Sequence, residues 1–204
     1  VAMLPGSDPA LADEVVVMTA HLDHIGDHGT ADDKISNGAL DNASGVATML
    51  EVAKALVKDK TNGKDAPRRP ILFAAVTAEE GGLIGSDYLA RNPVTGTGKP
   101  VAVVNFDMPV LLYRFTDVIA FGSEASTLGP IVAESAAKAG IKLSPDPLPE
   151  EGLFTRSDHY RFVQQGIPSV FLMTGFEGPG EKAFKDFLAT HYHKPSDDLK
   201  LPID

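Results

Sequence analysis

Residues 15–24 read VVVMTAHLDH. The first six of these residues are apolar or β-branched, which is typical of a short buried β-strand. His21, Asp23 and His24 follow directly, so ionisable side chains stand where the strand ends. In open α/β sheets, ligands bind in the crevice outside the carboxyl ends of the strands. This stretch therefore predicts a buried strand that brings chemically active groups to a site.

The same pattern occurs twice more along the chain. Residues 71–80 read ILFAAVTAEE, and residues 101–107 read VAVVNFD, so one apolar run ends near Glu79 and Glu80 and the other at Asp107. A charged group set against an apolar strand costs several kcal/mol unless it is paired or binds a metal. Three converging ends of this kind predict one shared site. Asp41, at the start of the helical pattern after the first strand, is expected to join it.

Apolar runs bounded by turn residues alternate with helical periodicity over the rest of the chain, which predicts an α/β fold. The absence of an internal repeat and of a low-complexity linker predicts one domain over residues 1–204. We expect strands at 15–20, 71–76, 101–106, 117–121 and 169–173, and helices at 38–58, around 83–91, at 126–139 and at 157–165. Residues 61–70 and 143–152 are predicted to be loops, and residues 176–182 a loop that leads into a short helix.

Composition excludes several classes of function. Lys and Arg total 18 against 28 Asp and Glu, and the formal net charge of −10 argues against a nucleic-acid partner. The apolar runs are far shorter than the ~20 residues that a membrane span requires. The chain has no cysteine, so a metal would have to be held by His, Asp or Glu.

The six histidines fall into two groups, which are residues 21, 24 and 28 and residues 159, 191 and 193. Imidazole and carboxylate without thiolate suits Zn²⁺, Co²⁺ or Mn²⁺, and zinc is the usual choice for hydrolysis. With two histidines and three carboxylates, one carboxylate can bridge two ions. The residues thus predict a metal site, with zinc favoured.

Six short motifs occur in a characteristic order. They are AHLD at 20–23, LDNASG at 40–45, AEEGGLIGS at 78–86, NFDM at 105–108, RSDH at 156–159 and YHKPSD at 192–197. Together the motifs resemble the co-catalytic dizinc aminopeptidases of metallopeptidase family 28. The resemblance implies a three-layer α/β/α sandwich with a mixed, mostly parallel sheet. It also implies hydrolysis of the N-terminal peptide bond of peptides by two zinc ions, with Co²⁺ or Mn²⁺ as substitutes.

The resemblance also assigns the metal ligands. His21 and Asp107 match the terminal ligands of one zinc ion, and Glu80 and His193 match those of the other. Asp41 matches the carboxylate that bridges the two ions. These five residues are the expected metal site.

Other roles follow by the same resemblance. Glu79 matches the general base, which takes a proton from the bridging water and passes it to the leaving amine. Asp23 matches the acceptor that orients the imidazole of His21. Asn42 is expected to form a cis peptide bond with Asp41, and Tyr192 matches a phenol that supports the oxyanion in some relatives.

Three residues are candidates for contacts with the substrate. Arg156 is a candidate for binding the substrate, with a structural salt bridge as the equal alternative. Met108 and Phe154 are candidates for the substrate pocket, with core packing as the alternative. His24 and His28 match no motif position and are expected in a loop or beside the ligands. His191 is expected to face solvent next to His193. The adjacent Ser157, Asp158 and His159 cannot form a hydrolase triad, because contiguous residues do not reach its geometry.

Alternative functions follow from the same fold. A glutaminyl cyclase, a single-zinc acyltransferase, shares much of the metal site, and a non-catalytic binding domain would keep the fold without the ligands. All five ligand positions and the base are filled, which favours the peptidase. The sequence resembles the core of a longer precursor without a protease-associated insert. A secreted or periplasmic location is implied by the family alone.

Overall fold

The computed structural model describes residues 1–27, 32–61, 66–96 and 98–203. Nine strands and five α-helices follow one another in these ranges. The strands are β1 (Ala2–Leu4), β2 (Glu14–His21), β3 (Gly26–Asp27), β4 (Ile35–Ser36), β5 (Ile71–Val76), β6 (Lys99–Phe106), β7 (Asp117–Phe121), β8 (Lys142–Ser144) and β9 (Ser169–Thr174). The helices are α1 (Ser44–Thr61), α2 (Ile84–Arg91), α3 (Leu128–Lys138), α4 (His159–Val163) and α5 (Gly180–Thr190).

Seven of the strands form one mixed sheet in the order β1-β5-β2-β6-β9-β7-β8. The four central strands, β5, β2, β6 and β9, are mutually parallel. The strand β1 pairs antiparallel with β5 at one edge, and β7 pairs antiparallel with β9 near the other. The mixed, mostly parallel sheet is therefore as expected. The strands β3 and β4 form a separate two-stranded ribbon.

Helices cover both faces of the sheet. Successive side chains of a strand point to opposite faces, so a central strand packs against helices on both sides. Val15 and Val17 of β2 pack in one apolar cluster with residues of α2 and α4. The neighbouring Val16 and Met18 pack in a second cluster with residues of α1. The continuous apolar run of β2 is explained by this burial on both sides. The three-layer α/β/α architecture is confirmed.

The parallel strands bring their carboxyl ends to one edge of the sheet. In the strand pairing, His21 of β2 lies opposite Val76 of β5, and Thr19 of β2 lies opposite Asn105 of β6. The residues that follow β5 and β6 are therefore level with the end of β2. This register places the three predicted strand ends side by side.

The structure differs from the sequence expectations at two places. The helix predicted from residue 38 begins only at Ser44, because Asp41 and Asn42 have non-helical backbone angles. The segment expected to be a loop at 143–152 contains the end of β8, a three-residue edge strand that is too short to show a pattern. Residues 62–65 of the predicted loop 61–70 lie outside the described residues. None of the helices in the described ranges has the length and apolarity needed to cross a membrane.

Candidate metal centre

The strand ends and one turn bring five of the predicted residues together. His21 is the last residue of β2, Asp107 directly follows β6, and Glu80 lies in the turn after β5. Asp41 comes from the turn that precedes α1, and His193 from the turn that follows α5. Residues far apart in the chain thus share one edge of the sheet, where the sequence predicted a site.

The two carboxylate oxygens of Asp41 face different histidines. Oδ1 lies 3.4 Å from Nε2 of His21, which in turn lies 3.3 Å from Oδ1 of Asp107. Oδ2 lies 3.3 Å from Nε2 of His193, which lies 3.2 Å from Oε2 of Glu80. Asp41 therefore belongs to two groups of ligand atoms, one on each side of its carboxylate.

The distances within the two groups fit metal coordination. Four ligands that surround a zinc ion at ~2.0–2.1 Å stand about 3.3 Å from one another. The separations of 3.2–3.4 Å in both groups match this tetrahedral edge. His21, Asp41 and Asp107 are also buried, and burial of two carboxylates beside an imidazole requires a compensating positive charge. The residues present fit a metal, in donor type and in spacing.

The pKa values of His21 and Asp41 show that this site favours positive charge. Burial opposes ionisation of His21, but Asp107 and Asp41 outweigh it and raise the pKa of that imidazole to about 12. Burial likewise opposes ionisation of Asp41, yet His193 and His21 lower its pKa to about 2. Without a metal, the histidines hold the protons that offset the carboxylates. A metal ion bound here would compete with these protons for the same nitrogens.

A chain of buried hydrogen bonds fixes Asp107. Thr19 Oγ1 donates to Asn105 Oδ1 at 2.7 Å, and Asn105 Nδ2 donates to Ser157 Oγ at 2.7 Å. Ser157 Oγ then donates to Asp107 Oδ2 at 2.6 Å, which leaves Oδ1 directed at His21. Ser157 is therefore bonded to a metal-site carboxylate and not to its neighbours Asp158 and His159.

Asn42 joins the Asp41 turn to β6. Its Nδ2 donates to the carbonyl of Phe106 at 3.0 Å. Its Oδ1 accepts from the backbone of Gly45 at 3.0 Å and of Met108 at 3.1 Å. The peptide bond between Asp41 and Asn42 is cis, as expected. Asn42 thus connects the start of α1 with the segment that carries Asp107.

Asp23 acts on His21 in a different way from that expected. Nδ1 of His21 lies 3.1 Å from the backbone carbonyl of Asp23 and 3.8 Å from its carboxylate. The carboxylate instead accepts from the backbone N–H of Glu79 at 3.3 Å. A backbone carbonyl orients a metal-binding imidazole as well as a carboxylate does. Asp23 therefore orients His21 with its main chain and holds the Glu79 turn with its side chain.

Left-handed backbone conformations cluster at this site. Among the described residues, the non-glycine positions with positive φ are Ala78, Leu83, Met108 and His193. His193 is one of the five predicted metal ligands. Ala78, Leu83 and Met108 each lie within three residues of a predicted ligand along the chain. Such conformations are costly for residues with a Cβ and concentrate at functional sites.

A cavity of about 390 Å³ opens beside the two groups of ligand atoms. Its lining includes His21, Asp41, Glu79, Glu80, Asp107, Met108, Leu148, Glu151, Leu153, Arg156, Ser157, Phe171, Met173, Phe184, Leu188 and Tyr192. Two of the three candidate substrate contacts, Met108 and Arg156, are therefore on this cavity. Phe154 is not on it and packs against His159 and Tyr160.

The remaining histidines lie in different surroundings. His191 stacks on Phe187 and its Nδ1 lies 3.0 Å from Ser196 Oγ, away from the ligand groups. His159 is buried against the rings of Phe154 and Phe171. His28 lies outside the described residues. His24, for which the motifs gave no role, contacts Glu80 through Nδ1 at 2.8 Å.

Comparison with known proteins shows the family of this chain. The model of peptidase family M28 matches residues 1–204. The chain belongs to peptidase family M28. Leucine aminopeptidase 1 of Trichophyton rubrum is 28% identical to it, over 98% of this chain and 51% of the relative. The M28 chain thus spans about half the length of the curated relatives it matches.

Solved structures show the same fold for the M28 chain. LapA of Legionella pneumophila aligns with a TM-score of 0.70 and 23% identity, over 94% of this chain and 48% of LapA. BSAP, a zinc aminopeptidase from Bacillus subtilis, aligns with a TM-score of 0.65 and 24% identity, over 99% and 44%.

Proposed function

We propose that this M28 chain carries the active site of a dizinc aminopeptidase, which removes the N-terminal residue from peptides. The observation that supports it most is the arrangement of Asp41, whose oxygens face His21 on one side and His193 on the other. A bridging carboxylate between two histidine-containing groups suits a pair of ions. The name of the Trichophyton relative supports the choice of peptide substrates.

Each ion has its own protein ligands in this proposal. His21 and Asp107 would hold one zinc ion, Glu80 and His193 would hold the other, and Asp41 would contribute to both. When bound, the zinc pair supplies an activated water and polarises the scissile carbonyl. Co²⁺ and Mn²⁺ accept the same imidazole and carboxylate donors and are expected to substitute.

Glu79 carries the proton in this reaction. It lines the cavity next to Asp107, and its neighbour Glu80 faces His193. Burial and the nearby Asp107 raise the pKa of Glu79 to about 9 in the metal-free protein. Bound cations favour the ionised form by their charge. A basic carboxylate with this affinity for a proton takes one from water and returns it to the leaving amine.

In this proposal Tyr192 donates a hydrogen bond to the substrate. Its ring stacks on His193 at a centroid distance of 3.8 Å, and it lines the cavity. Burial, and then the charge of Asp41, raise the pKa of its hydroxyl above the ordinary value. The phenol therefore keeps its proton at neutral pH and serves as a donor toward the carbonyl oxygen.

The cavity favours an apolar first residue in the substrate. Most of its wall away from the ligand groups is made of aliphatic, thioether and aromatic side chains, which include Met108, Leu148, Leu153, Phe171, Met173 and Leu188. A side chain such as leucine loses its water-exposed surface there. Arg156 and Glu151 line the same cavity, and Nη1 of Arg156 lies 3.8 Å from Oε2 of Glu151. We expect these two side chains to contact the polar backbone of the peptide.

The decisive test of this proposal is a Glu79→Gln variant assayed on leucyl-p-nitroanilide after zinc loading. We expect kcat to fall by about 10²-fold to 10⁴-fold, because the proton carrier is lost. The zinc content should not change, since Glu79 is not a ligand. A Glu124→Gln variant, on a segment outside the cavity, serves as the matched control. Near-normal turnover by Glu79→Gln would contradict the assignment.

A further inference from the structure

His24 lies against the ligand group of Glu80 and His193 without a role in the proposed reaction. Its Nδ1 is 2.8 Å from Oε1 of Glu80 and 3.9 Å from Oδ2 of Asp41. The side chain is 8% exposed, so its ring is removed from water. These three residues bring one nitrogen and two carboxylate oxygens within 4.8 Å of one another.

The polar atoms of His24 have no hydrogen-bond partner in the described part of the chain. Neither Nδ1 nor Nε2 makes a hydrogen bond, and Oε1 of Glu80 makes none either. The 2.8 Å contact between His24 and Glu80 is thus short without the geometry of a hydrogen bond. A buried polar group without a partner destabilises the folded state. Such a group calls for an explanation, and a bound ion is one.

His24 and His193 approach the same two carboxylates. Their rings meet edge to face at a centroid distance of 5.5 Å and an interplanar angle of 77°. Asp41 Oδ2 is 3.3 Å from the nitrogen of His193 and 3.9 Å from that of His24. Each oxygen of Glu80 faces a different one of the two imidazoles. His24, Asp41 and Glu80 thus form one group of ligand atoms, and His193 contacts both carboxylates of that group from beside it.

We propose that His24 is a further metal ligand, which gives the ion held by Glu80 and His193 a second imidazole nitrogen. This inference rests on the proposed dizinc function. It makes the two metal positions unequal, with two imidazoles at one and the single imidazole of His21 at the other. Since imidazole favours zinc, copper and nickel over manganese, the position of His24 should load zinc first and discriminate more strongly against manganese.

The direct test follows the histidine ring nitrogens of the wild-type chain by long-range ¹H–¹⁵N NMR during zinc addition. We expect three imidazoles to gain metal-bound nitrogens. His21 and His193 should bind through Nε2, which faces the carboxylates, and His24 through Nδ1. If His21 and His193 respond while Nδ1 of His24 stays protonated, the inference about His24 is overturned and the proposed function stands. If no imidazole responds, both are overturned.

The variant His24→Ala measures how much His24 contributes to zinc affinity. In His24→Ala, calorimetric zinc titration should show one of the two affinities weakened by about 10-fold to 100-fold and the other unchanged. His191→Ala is the matched control, because that histidine lies in the same turn as His193 but away from the carboxylates. Thermal melts of the metal-free proteins show whether His24→Ala still folds, and the wild-type NMR experiment needs no variant. Two affinities within twofold of wild type would overturn the inference.

Discussion

Asp197 holds the backbone of Asp41 in place. Its Oδ2 accepts the N–H of Asp41 at 3.0 Å, and its Oδ1 accepts the N–H of Leu40 at 2.9 Å. Asp197 is buried and belongs to the same C-terminal segment as His193. One side chain thus fixes the central carboxylate of the site relative to the turn that supplies a ligand.

The first prediction concerns this contact. Asp197→Ala removes two acceptors from buried N–H groups, so Asp41 should lose its fixed position between the two ligand groups. We expect both zinc affinities to weaken by about 10-fold to 100-fold, measured by competition with a chromophoric chelator. The matched control is Asp198→Ala, whose carboxylate pairs with the exposed side chain of Lys200. Loss of zinc affinity in one position alone, or in neither, would count against this role.

The second prediction concerns Ser157. Its hydroxyl donates to Oδ2 of Asp107 at 2.6 Å, and Ser157→Ala leaves that carboxylate free to rotate away from His21. The affinity of the position held by His21 and Asp107 should fall by about 10-fold, while that of the other position stays the same. Cobalt absorption titrations resolve the two positions. Ser135→Ala, an exposed hydroxyl on α3, should leave both unchanged. Equal weakening of both positions would refute a specific effect on Asp107.

The third prediction is a dependence of stability on pH. Asp158 is fully buried, and burial raises the pKa of its carboxyl group to about 7 although a contact with Ser86 opposes the shift. The folded state therefore binds this proton more tightly than the unfolded state, whose Asp pKa is about 3.9. The resulting stabilisation is complete below pH ~4 and is lost as the pH rises to about 7.

Asp158→Asn tests this dependence in the metal-free protein. The free energy of unfolding of the variant relative to wild type should increase between pH 4 and pH 7 and then level off, as measured by urea denaturation. The exposed Asp186→Asn provides the comparison, because that carboxyl group lies on the surface of α5. A pH-independent difference for Asp158→Asn would show that its carboxyl group is ionised in the folded state.

The fourth prediction concerns the close contact at the start of α1. A Cβ on Gly45 would lie 2.1 Å from Oδ1 of Asn42 and 2.6 Å from the carbonyl oxygen of Phe106. Gly45→Ala should therefore destabilise the fold by about 1–3 kcal/mol, measured by urea denaturation. At Gly81 an added Cβ has its nearest contact at 3.4 Å, so Gly81→Ala is the control. If the two variants are equally stable, the turn at Asn42 accommodates the added Cβ without loss of stability.

The sequence predicted the parts of the site that depend on local patterns. The strands 71–76 and 117–121 were predicted with their observed bounds, because apolar runs between turn residues leave little freedom. His21, Glu79, Glu80 and Asp107 could be placed at one edge, since parallel strands end together. Long-range contacts were not predictable. Nothing in the local sequence indicates that Asp197 reaches Asp41, 156 residues away.

His24 and Asn105 illustrate two different limits of sequence analysis. His24 lies three residues after His21, but the direction of its ring depends on the turn that follows β2. Asn105 had a visible signal, because an amide inside an apolar strand requires a buried partner. That partner, Ser157, lies in the segment before α4 and becomes apparent only when the sheet order is known.

We propose that Asp41 bridges two zinc ions. The number of zinc ions bound per chain tests this bridge most directly. The protein is purified without chelator, loaded with zinc, freed of excess by gel filtration and analysed for metal per chain. We expect two zinc ions per wild-type chain and loss of zinc in Asp41→Ala, because Asp41 contributes to both ligand groups. One zinc ion per chain would contradict the bridged site and favour the single-zinc chemistry of a cyclase, and none would favour a binding domain.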